Sequence, residues 1–195
     1  QTMINHSKSV RLGVDQSLMV FDMPYKTYRN PQEAFKNAKL VLKETKCDAV
    51  KLEGGKKIIP IIKKLVQNKI PVMGHVGILP QTDKKFSFKG KKQKESERIL
   101  NDTKLLESAG VFSIVLECIE TKLSKKITNQ LKIPTIGIGS SANCDGQVLV
   151  IDDLIGLTQS KFKFVKKYID MSKIIEDAVK KYKLDVLKKR FPKAK

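Results

Sequence analysis

The stretch VKLEGG, Val50–Gly55, places a lysine and a glutamate two positions apart in a short apolar run that ends in two glycines. Because side chains alternate between the two faces of a strand, Lys51 and Glu53 share one face, and Val50 and Leu52 share the other. Opposite charges that enter an interior are costly unless they pair or bind a ligand. The stretch therefore indicates either a structural ion pair beside a turn or a functional site at the end of a strand.

Similar apolar runs, bounded by Gly or Pro, predict buried parallel strands along the rest of the chain. They are residues 17–24, 48–55, 70–77, 112–119, 133–139 and 146–152. Helical patterns fall between most of these runs and after the last one. They predict helices over residues 31–46, 56–69, 94–110, 121–132, about 160–170 and 172–188. Asn30 before Pro31 is a typical helix start, and Gly110 is a typical helix end.

Repeated strand–helix units with right-handed crossovers predict an α/β fold, either an open doubly wound sheet or a (β/α)8 TIM barrel. Several strands end on a polar residue, and catalytic groups at the C-terminal ends of different strands are typical of the barrel. No GxGxxG or GxxxxGK[ST] motif opens a helix, so nucleotide binding of those kinds is unsupported. We expect a single domain over residues 1–195, with C-terminal helices from about residue 160.

Five polar residues should face a common mouth if the strands run in parallel: Asp22, Lys51, Glu53, His75 and Glu117. Neighbouring carboxylates repel one another unless a cation or a proton intervenes, and Mg²⁺ with oxygen ligands is the natural solution. Lys51 could bind a carboxylate or carbonyl oxygen of a substrate. A carboxylate that does not bind the metal could act as a general base.

Each of these residues also has a structural interpretation. Asp22 could simply start a turn, and His75 could be a core histidine with satisfied hydrogen bonds. Glu117 is harder to explain in this way, because a lone ionised glutamate in an apolar run is rarely buried without a partner. Cys118 alternates to the opposite face, so we expect it to pack in the core.

The composition narrows the class of protein. The net charge of +19 invites a nucleic-acid-binding hypothesis, but only four of the 39 basic residues are arginine, the residue that base readout favours. The three cysteines lack CxxC spacing, which fits a reducing compartment, and we expect a cytoplasmic protein. No apolar run is long enough to span a membrane.

Six motifs occur in order along the chain: FDMPY (21–25), VKLEGG (50–55), PVMGHVGILPQT (71–82), VLECI (115–119), IPTIGIG (133–139) and CDGQVLVIDDLIG (144–156). Together they resemble the ketopantoate hydroxymethyltransferase family, also called 3-methyl-2-oxobutanoate hydroxymethyltransferase. The resemblance runs from about His6 to Phe191.

The resemblance implies a TIM barrel of the phosphoenolpyruvate mutase and isocitrate lyase type. It implies transfer of a hydroxymethyl group from 5,10-methylenetetrahydrofolate to 3-methyl-2-oxobutanoate, which gives 2-dehydropantoate for pantothenate and coenzyme A biosynthesis. By motif position, Asp22 and Glu53 resemble the Mg²⁺ ligands of the family. Lys51 and His75 resemble its substrate-binding residues. Glu117 resembles the base that removes a proton from the keto acid. The implied partners are the keto acid, the folate and further copies of the chain (often a decamer in the family), with neither nucleic acid nor membrane.

The chain also departs from the family pattern. A GDSLG strand end, which contributes an Asp and a Ser to metal and substrate, has no counterpart here. We therefore expect a truncated barrel that lacks the first two strand–helix units, roughly 60 residues. The loop KKFSFKGKK (84–92) and the segment GIGSS (137–141) also differ from the family pattern.

These observations leave three hypotheses open. The chain is part of an active hydroxymethyltransferase, a truncated inactive relative that associates through its open sheet edges, or a basic nucleic-acid-binding protein. A carbon–carbon lyase of the same superfamily is a weaker fourth, because no nucleophilic Cys motif is visible.

Overall fold

The computed structural model describes residues 1–158 and 162–193. They form two compact units, Gln1–Gln147 and Val148–Lys195, which we describe separately. None of the helices in the described ranges is long and apolar enough to cross a membrane.

The first unit is built around one sheet of six parallel strands. The strands are β1 (Val20–Asp22), β2 (Ala49–Glu53), β3 (Val72–Gly77), β4 (Ser113–Glu117), β5 (Thr135–Ile138) and β6 (Gly146–Gln147). Their spatial order follows the chain order from β1 to β6, without the reversal that a doubly wound sheet requires. The predicted α/β class and parallel sheet are confirmed, with β1 and β6 as the two ends of the strand order.

One helix precedes β1, and further helices connect consecutive strands from β1 to β5. They are α1 (Thr2–Leu12), α2 (Pro31–Thr45), α3 (Ile59–Gln67), α4 (Gln93–Ser108) and α5 (Thr121–Gln130), with a 3₁₀ turn over Lys56–Ile58 before α3. The Asn30 side chain accepts a hydrogen bond from the backbone N–H of Glu33, which confirms the predicted start of α2. Gly110, at φ +95°, follows the C-cap Ala109 of α4 in the left-handed conformation that a glycine tolerates best.

Helix α1 was not predicted. Its sequence has no regular apolar stripe, and Ser7 is its one buried residue. Tertiary contacts hold the helix instead: Arg11 donates hydrogen bonds to the carbonyl oxygens of Lys46 (2.9 Å) and Val14 (2.8 Å), and Lys8 pairs with Glu44 at 2.8 Å.

The two faces of the sheet have different roles. On β2, Val50 and Leu52 are fully buried in the same apolar core as Ile62 and Leu65 of α3. Lys51 and Glu53 lie on the opposite face, as the alternation predicts. Because parallel strands align their C-terminal ends, polar residues at the ends of neighbouring strands come together on that face.

Two predictions of secondary structure are wrong. The strand predicted at 146–152 is limited to β6, and Ile151–Leu154 form helix α6, with Asp152 and Asp153 in its first turn. Carboxylates favour that position because of the helix dipole. The predicted helix at 160–170 lies partly outside the described residues, and its described part, 162–170, is irregular.

The second unit contains α6 and α7 (Met171–Leu187), which confirms the helix predicted over 172–188. The backbone N–H groups of Tyr168 and Met171 donate to the carbonyl oxygens of Leu154 and Ile155, at 2.9 Å each. The segment before α7 therefore bonds to the end of α6 rather than to itself, which explains why it is not helical.

Candidate functional site

The structure brings the five predicted residues to one end of the sheet. Lys51 Nζ lies 2.9 Å from Asp22 Oδ1 and 3.1 Å from His75 Nδ1, and His75 Nε2 lies 3.2 Å from Glu117 Oε2. One chain of contacts thus crosses the ends of β1, β2, β3 and β4. The prediction that these side chains meet is confirmed; the role of each residue stays a prediction.

His75 lies at the centre of this chain of contacts and is only 2% exposed. Its Nδ1 faces an ammonium group, which can only donate, so Nδ1 is assigned as the acceptor. The proton then sits on Nε2, which is within reach of the Ile78 carbonyl oxygen (2.9 Å) and the Glu117 carboxylate. Since both ring nitrogens have partners within the protein, a substrate would have to displace a partner to contact the ring.

Glu53 points to the same region from the end of β2 and is 7% exposed. Its Oε2 accepts a hydrogen bond from the backbone N–H of Gln81 at 3.1 Å. Burial raises the pKa of Glu53, while that hydrogen bond and the nearby His75 and Lys51 oppose the rise. An additional cation would favour the ionised carboxylate.

Gln81 and Tyr28 belong to the site, although the sequence analysis did not select them. Gln81 donates its side-chain amide to the Met23 carbonyl oxygen at 2.9 Å and accepts the Tyr28 hydroxyl at 2.6 Å. The loop after β3 is thereby tied to the turn after β1, and its backbone holds Glu53. The sequence signal for Gln81 was its place in the motif PVMGHVGILPQT (71–82), in a polar turn directly after a strand.

We expect Tyr28 to ionise only at unusually high pH, because burial raises its pKa to about 12. Its ordinary value is 10.0, so its contribution to stability is complete below pH 10 and is lost as the pH rises through about 12. When the pH is raised and phenolate absorbance is followed, part of the signal should appear only near pH 12. This high-pH part should be absent from Tyr28→Phe and present in Tyr25→Phe. If the high-pH part of the phenolate absorbance is still present in Tyr28→Phe, this assignment is contradicted.

The two carboxylates Asp22 and Glu53 could hold a magnesium ion whose remaining ligands come from water and substrate. Asp22 Oδ1 is buried and, within the described residues, accepts no well-aligned hydrogen bond, although Lys51 Nζ lies nearby. Glu53 is the second carboxylate. In residues 1–158 and 162–193, no group of three or more acidic, His or Cys side chains could hold a metal by itself. Mg²⁺ is commonly bound by one or two carboxylates together with water and substrate oxygens.

The backbone around Glu117 is sharply turned. Cys118 has a left-handed φ of +50°, which is uncommon for a residue other than glycine. Ser140 holds this turn, since its hydroxyl donates to the Leu116 carbonyl oxygen at 2.7 Å and accepts the Ile119 N–H at 3.0 Å. The altered GIGSS segment therefore supports the strand end that carries Glu117.

Cys118 itself packs in the core, as predicted, and is fully buried. Burial raises the pKa of its thiol to about 12. A thiol that stays protonated is a poor nucleophile, so Cys118 does not provide covalent catalysis.

The chain matches one protein family over nearly its whole length. A model of the family described as "Ketopantoate hydroxymethyltransferase" matches residues 1–194. The 3-methyl-2-oxobutanoate hydroxymethyltransferase of Pelagibacter ubique is 62% identical over 193 residues, covering 99% of this chain and 75% of the relative. This chain belongs to the ketopantoate hydroxymethyltransferase family. The predicted family is confirmed, and its named relatives are transferases.

More distant hydroxymethyltransferases agree. The 3-methyl-2-oxobutanoate hydroxymethyltransferase of Chlorobaculum tepidum is 45% identical over 199 residues, covering 97% of this chain and 72% of the relative. The crystal structure of a candidate phosphonomutase from Burkholderia cenocepacia J2315 superposes with a TM-score of 0.53 at 8% identity. The match covers 70% of this chain and 59% of that one, so it concerns the fold alone.

The loop that differs from the hydroxymethyltransferase pattern, residues 84–92, is anchored at its end. Lys89 pairs with Asp83 at 3.0 Å, and the Lys89 N–H donates to the Cys118 carbonyl oxygen at 2.9 Å. Phe86 and Phe88, between these anchors, are each 42% exposed. The changed loop is thus fixed beside the strand end of Glu117.

Proposed function

We propose that the chain carries the hydroxymethyltransferase activity of its relatives, with 3-methyl-2-oxobutanoate as acceptor and 5,10-methylenetetrahydrofolate as donor. The observation that carries this proposal is the contact of Glu117 with the Lys51–His75 pair at one sheet end, beside two carboxylates suited to Mg²⁺. The parallel sheet and its sequential strand order support a partial (β/α)8 barrel as the scaffold.

The reaction begins with removal of a proton from C3, the carbon next to the ketone. Glu117 takes this proton, and the electron pair of the C–H bond forms the C2–C3 double bond of the enolate. His75 Nε2 lies 3.2 Å from the Glu117 carboxylate, while its hydrogen bond is to the Ile78 carbonyl oxygen. C3 then bonds to the methylene carbon of the donor, and both bonds from that carbon to the folate nitrogens break. Water supplies the oxygen of the hydroxymethyl group, and the released nitrogens of tetrahydrofolate take up the proton held by Glu117 and one proton of that water.

Charge stabilisation is the second requirement. When bound, Mg²⁺ would supply positive charge where the enolate oxygen develops. Asp22 and Glu53 would hold it, and Lys51 would keep the acid groups apart or bind the substrate carboxylate. The buried Oδ1 of Asp22, which has no hydrogen-bond partner among the described residues, and the neighbouring buried carboxylate of Glu53 support a cation at this place.

A direct assay tests the proposal. The chain is incubated with 3-methyl-2-oxobutanoate, Mg²⁺ and a donor labelled with ¹³C in its methylene group, and NMR follows the label. We expect a ¹³C hydroxymethyl signal in 2-dehydropantoate that EDTA suppresses and added Mg²⁺ restores. A folded chain that gives no labelled product would favour the alternative of an inactive relative, which the names of the relatives do not favour.

The predicted homo-oligomer and cytoplasmic location stay proposals. Exposed apolar side chains on α7 support association, since Ile174, Ile175 and Val179 are 50%, 49% and 59% exposed. Apolar faces of this kind are typical of interaction surfaces.

A further inference from the structure

The loop after β3 contacts the ends of β1 and β2, the two strands that carry Asp22 and Glu53. The backbone N–H of Gln81 donates to Glu53 Oε2 at 3.1 Å, across 28 positions of sequence. The Gln81 side-chain amide donates to the carbonyl oxygen of Met23, the residue after Asp22, at 2.9 Å. One residue therefore links the strand end of Asp22 to the carboxylate of Glu53.

The Tyr28 hydroxyl completes this link, since it donates to Gln81 Oε1 at 2.6 Å. The orientation of the Gln81 amide follows from its partners. The Met23 carbonyl oxygen can only accept, so it must face the amide nitrogen, and the amide oxygen then faces Tyr28. We name the hydrogen bonds of Gln81 to Tyr28, Met23 and Glu53 the Tyr28–Gln81 clamp.

The turn that carries Tyr28 is itself fixed. Thr27 donates its backbone N–H and its hydroxyl to the Pro24 carbonyl oxygen, at 3.1 Å and 2.7 Å. The side-chain amide of Asn37, in α2, donates to the Thr27 carbonyl oxygen at 2.7 Å. Because the turn is bonded to itself and to α2, the clamp holds Gln81 against a fixed support.

The hydrogen bonds of the sheet alone do not set the position of Glu53 relative to β1. Asp22 opposite Lys51 is the final pair in the register of β1 and β2. Glu53 lies two residues beyond this pair, and its partner in the sheet is His75 of β3. The bonds of Gln81 bridge the remaining gap between the end of β1 and the Glu53 carboxylate.

We propose that Gln81 is a positioning residue that sets the spacing of the Asp22 and Glu53 carboxylates and thereby makes the pair prefer Mg²⁺ to the larger Ca²⁺. Mg²⁺ requires near-ideal octahedral geometry with oxygen ligands at about 2.0–2.1 Å, whereas Ca²⁺ accepts about 2.3–2.6 Å in flexible arrangements. Two carboxylates at a fixed spacing suit the first ion, and a loosened pair adapts to the second. This inference rests on the proposed function for the assignment of the two carboxylates to a metal ion.

Binding of Mn²⁺ to the full chain, followed by electron paramagnetic resonance with Mg²⁺ and Ca²⁺ as competitors, tests the inference without turnover. Gln81→Met keeps the length of the side chain and removes its hydrogen bonds, and Tyr28→Phe removes only the hydroxyl. We expect each variant to weaken Mg²⁺ binding about tenfold, a loss typical of residues that hold metal ligands, and Ca²⁺ binding less than about threefold. The double variant should lose no more than either single variant, because the same clamp is broken in all three.

Two matched controls accompany these variants. Tyr25→Phe, in the same turn, and Gln67→Met, at the exposed end of α3, should bind both ions as the unaltered chain does. Unchanged Mg²⁺ binding in Gln81→Met and Tyr28→Phe, or equal losses for Mg²⁺ and Ca²⁺, would overturn the inference. So would an unaltered chain that binds neither ion or binds Ca²⁺ as tightly as Mg²⁺.

Exchange of the C3 proton of 3-methyl-2-oxobutanoate for deuterium separates this inference from the proposed catalysis. In the two clamp variants, exchange should need about tenfold more Mg²⁺ for half its maximal rate and reach the rate of the unaltered chain at saturating Mg²⁺. A lower maximal rate with an unchanged Mg²⁺ requirement would mark a general loss of structure and overturn the role of Gln81. If the unaltered chain prefers Mg²⁺ but catalyses no exchange, the proposed catalysis fails and the role of Gln81 is decided by the metal titrations alone.

Discussion

Replacing Glu117 with glutamine should stop the exchange of the C3 proton of 3-methyl-2-oxobutanoate for deuterium. Glutamine keeps the size of the side chain and removes the basic oxygen. General bases contribute about 10²- to 10⁴-fold to such steps, so we expect at least a hundredfold slower exchange. In D₂O the measurement is direct, because loss of the C3 proton collapses the methyl doublet of the keto acid in the NMR spectrum.

A matched carboxylate outside the site serves as the control. Glu44→Gln removes a surface carboxylate that pairs with Lys8. This variant should catalyse exchange of the C3 proton at the same rate as the unaltered chain. Exchange in Glu117→Gln at the unaltered rate would remove Glu117 as the base. Glu53, the buried carboxylate of the site, would then be the next candidate.

The five site residues could be predicted because two simple regularities act together. Period-two alternation assigns each residue to a face, and parallel strands align their C-terminal ends. For Glu53 and His75 the register confirms this, since they are directly paired between β2 and β3. Neither regularity depends on distant contacts, so one sequence was enough.

Gln81 could not be predicted in the same way. Its backbone N–H reaches Glu53 only because the loop after β3 folds back over β2 and is anchored by Tyr28. Backbone donors carry no residue signature, and the loop conformation depends on contacts between residues 53 positions apart. Helix α1 could not be predicted either, since contacts between residues distant in sequence stabilise it. Arg11 and Lys8 contact α2 and the turn after it.

Gly77→Ala should have the largest effect on stability of any single methyl group added near the site. Gly77 ends β3 with a φ of +104°, where L side chains are strained. A Cβ atom there would lie 2.1 Å from the Glu117 carbonyl oxygen and 2.8 Å from Ile119 Cγ1. The obstacle is backbone, which cannot rotate away as a side chain can, so β3 and β4 must separate at Glu117.

The strain of the left-handed conformation and the overlap each cost about 1–3 kcal/mol, so the unfolding free energy should fall by about 3 kcal/mol. For a chain of this length that corresponds to a decrease in melting temperature of roughly 10 °C. Gly74→Ala, on the same strand, is the control. Its Cβ would meet only the side chains of Ile114 and Leu106 at 3.4 Å, and we expect a change below about 1 kcal/mol. Equal melting temperatures for the two variants would refute the predicted backbone overlap at Gly77. A much lower melting temperature for Gly77→Ala, together with slower C3 exchange by the folded variant, would show that this glycine helps to position Glu117.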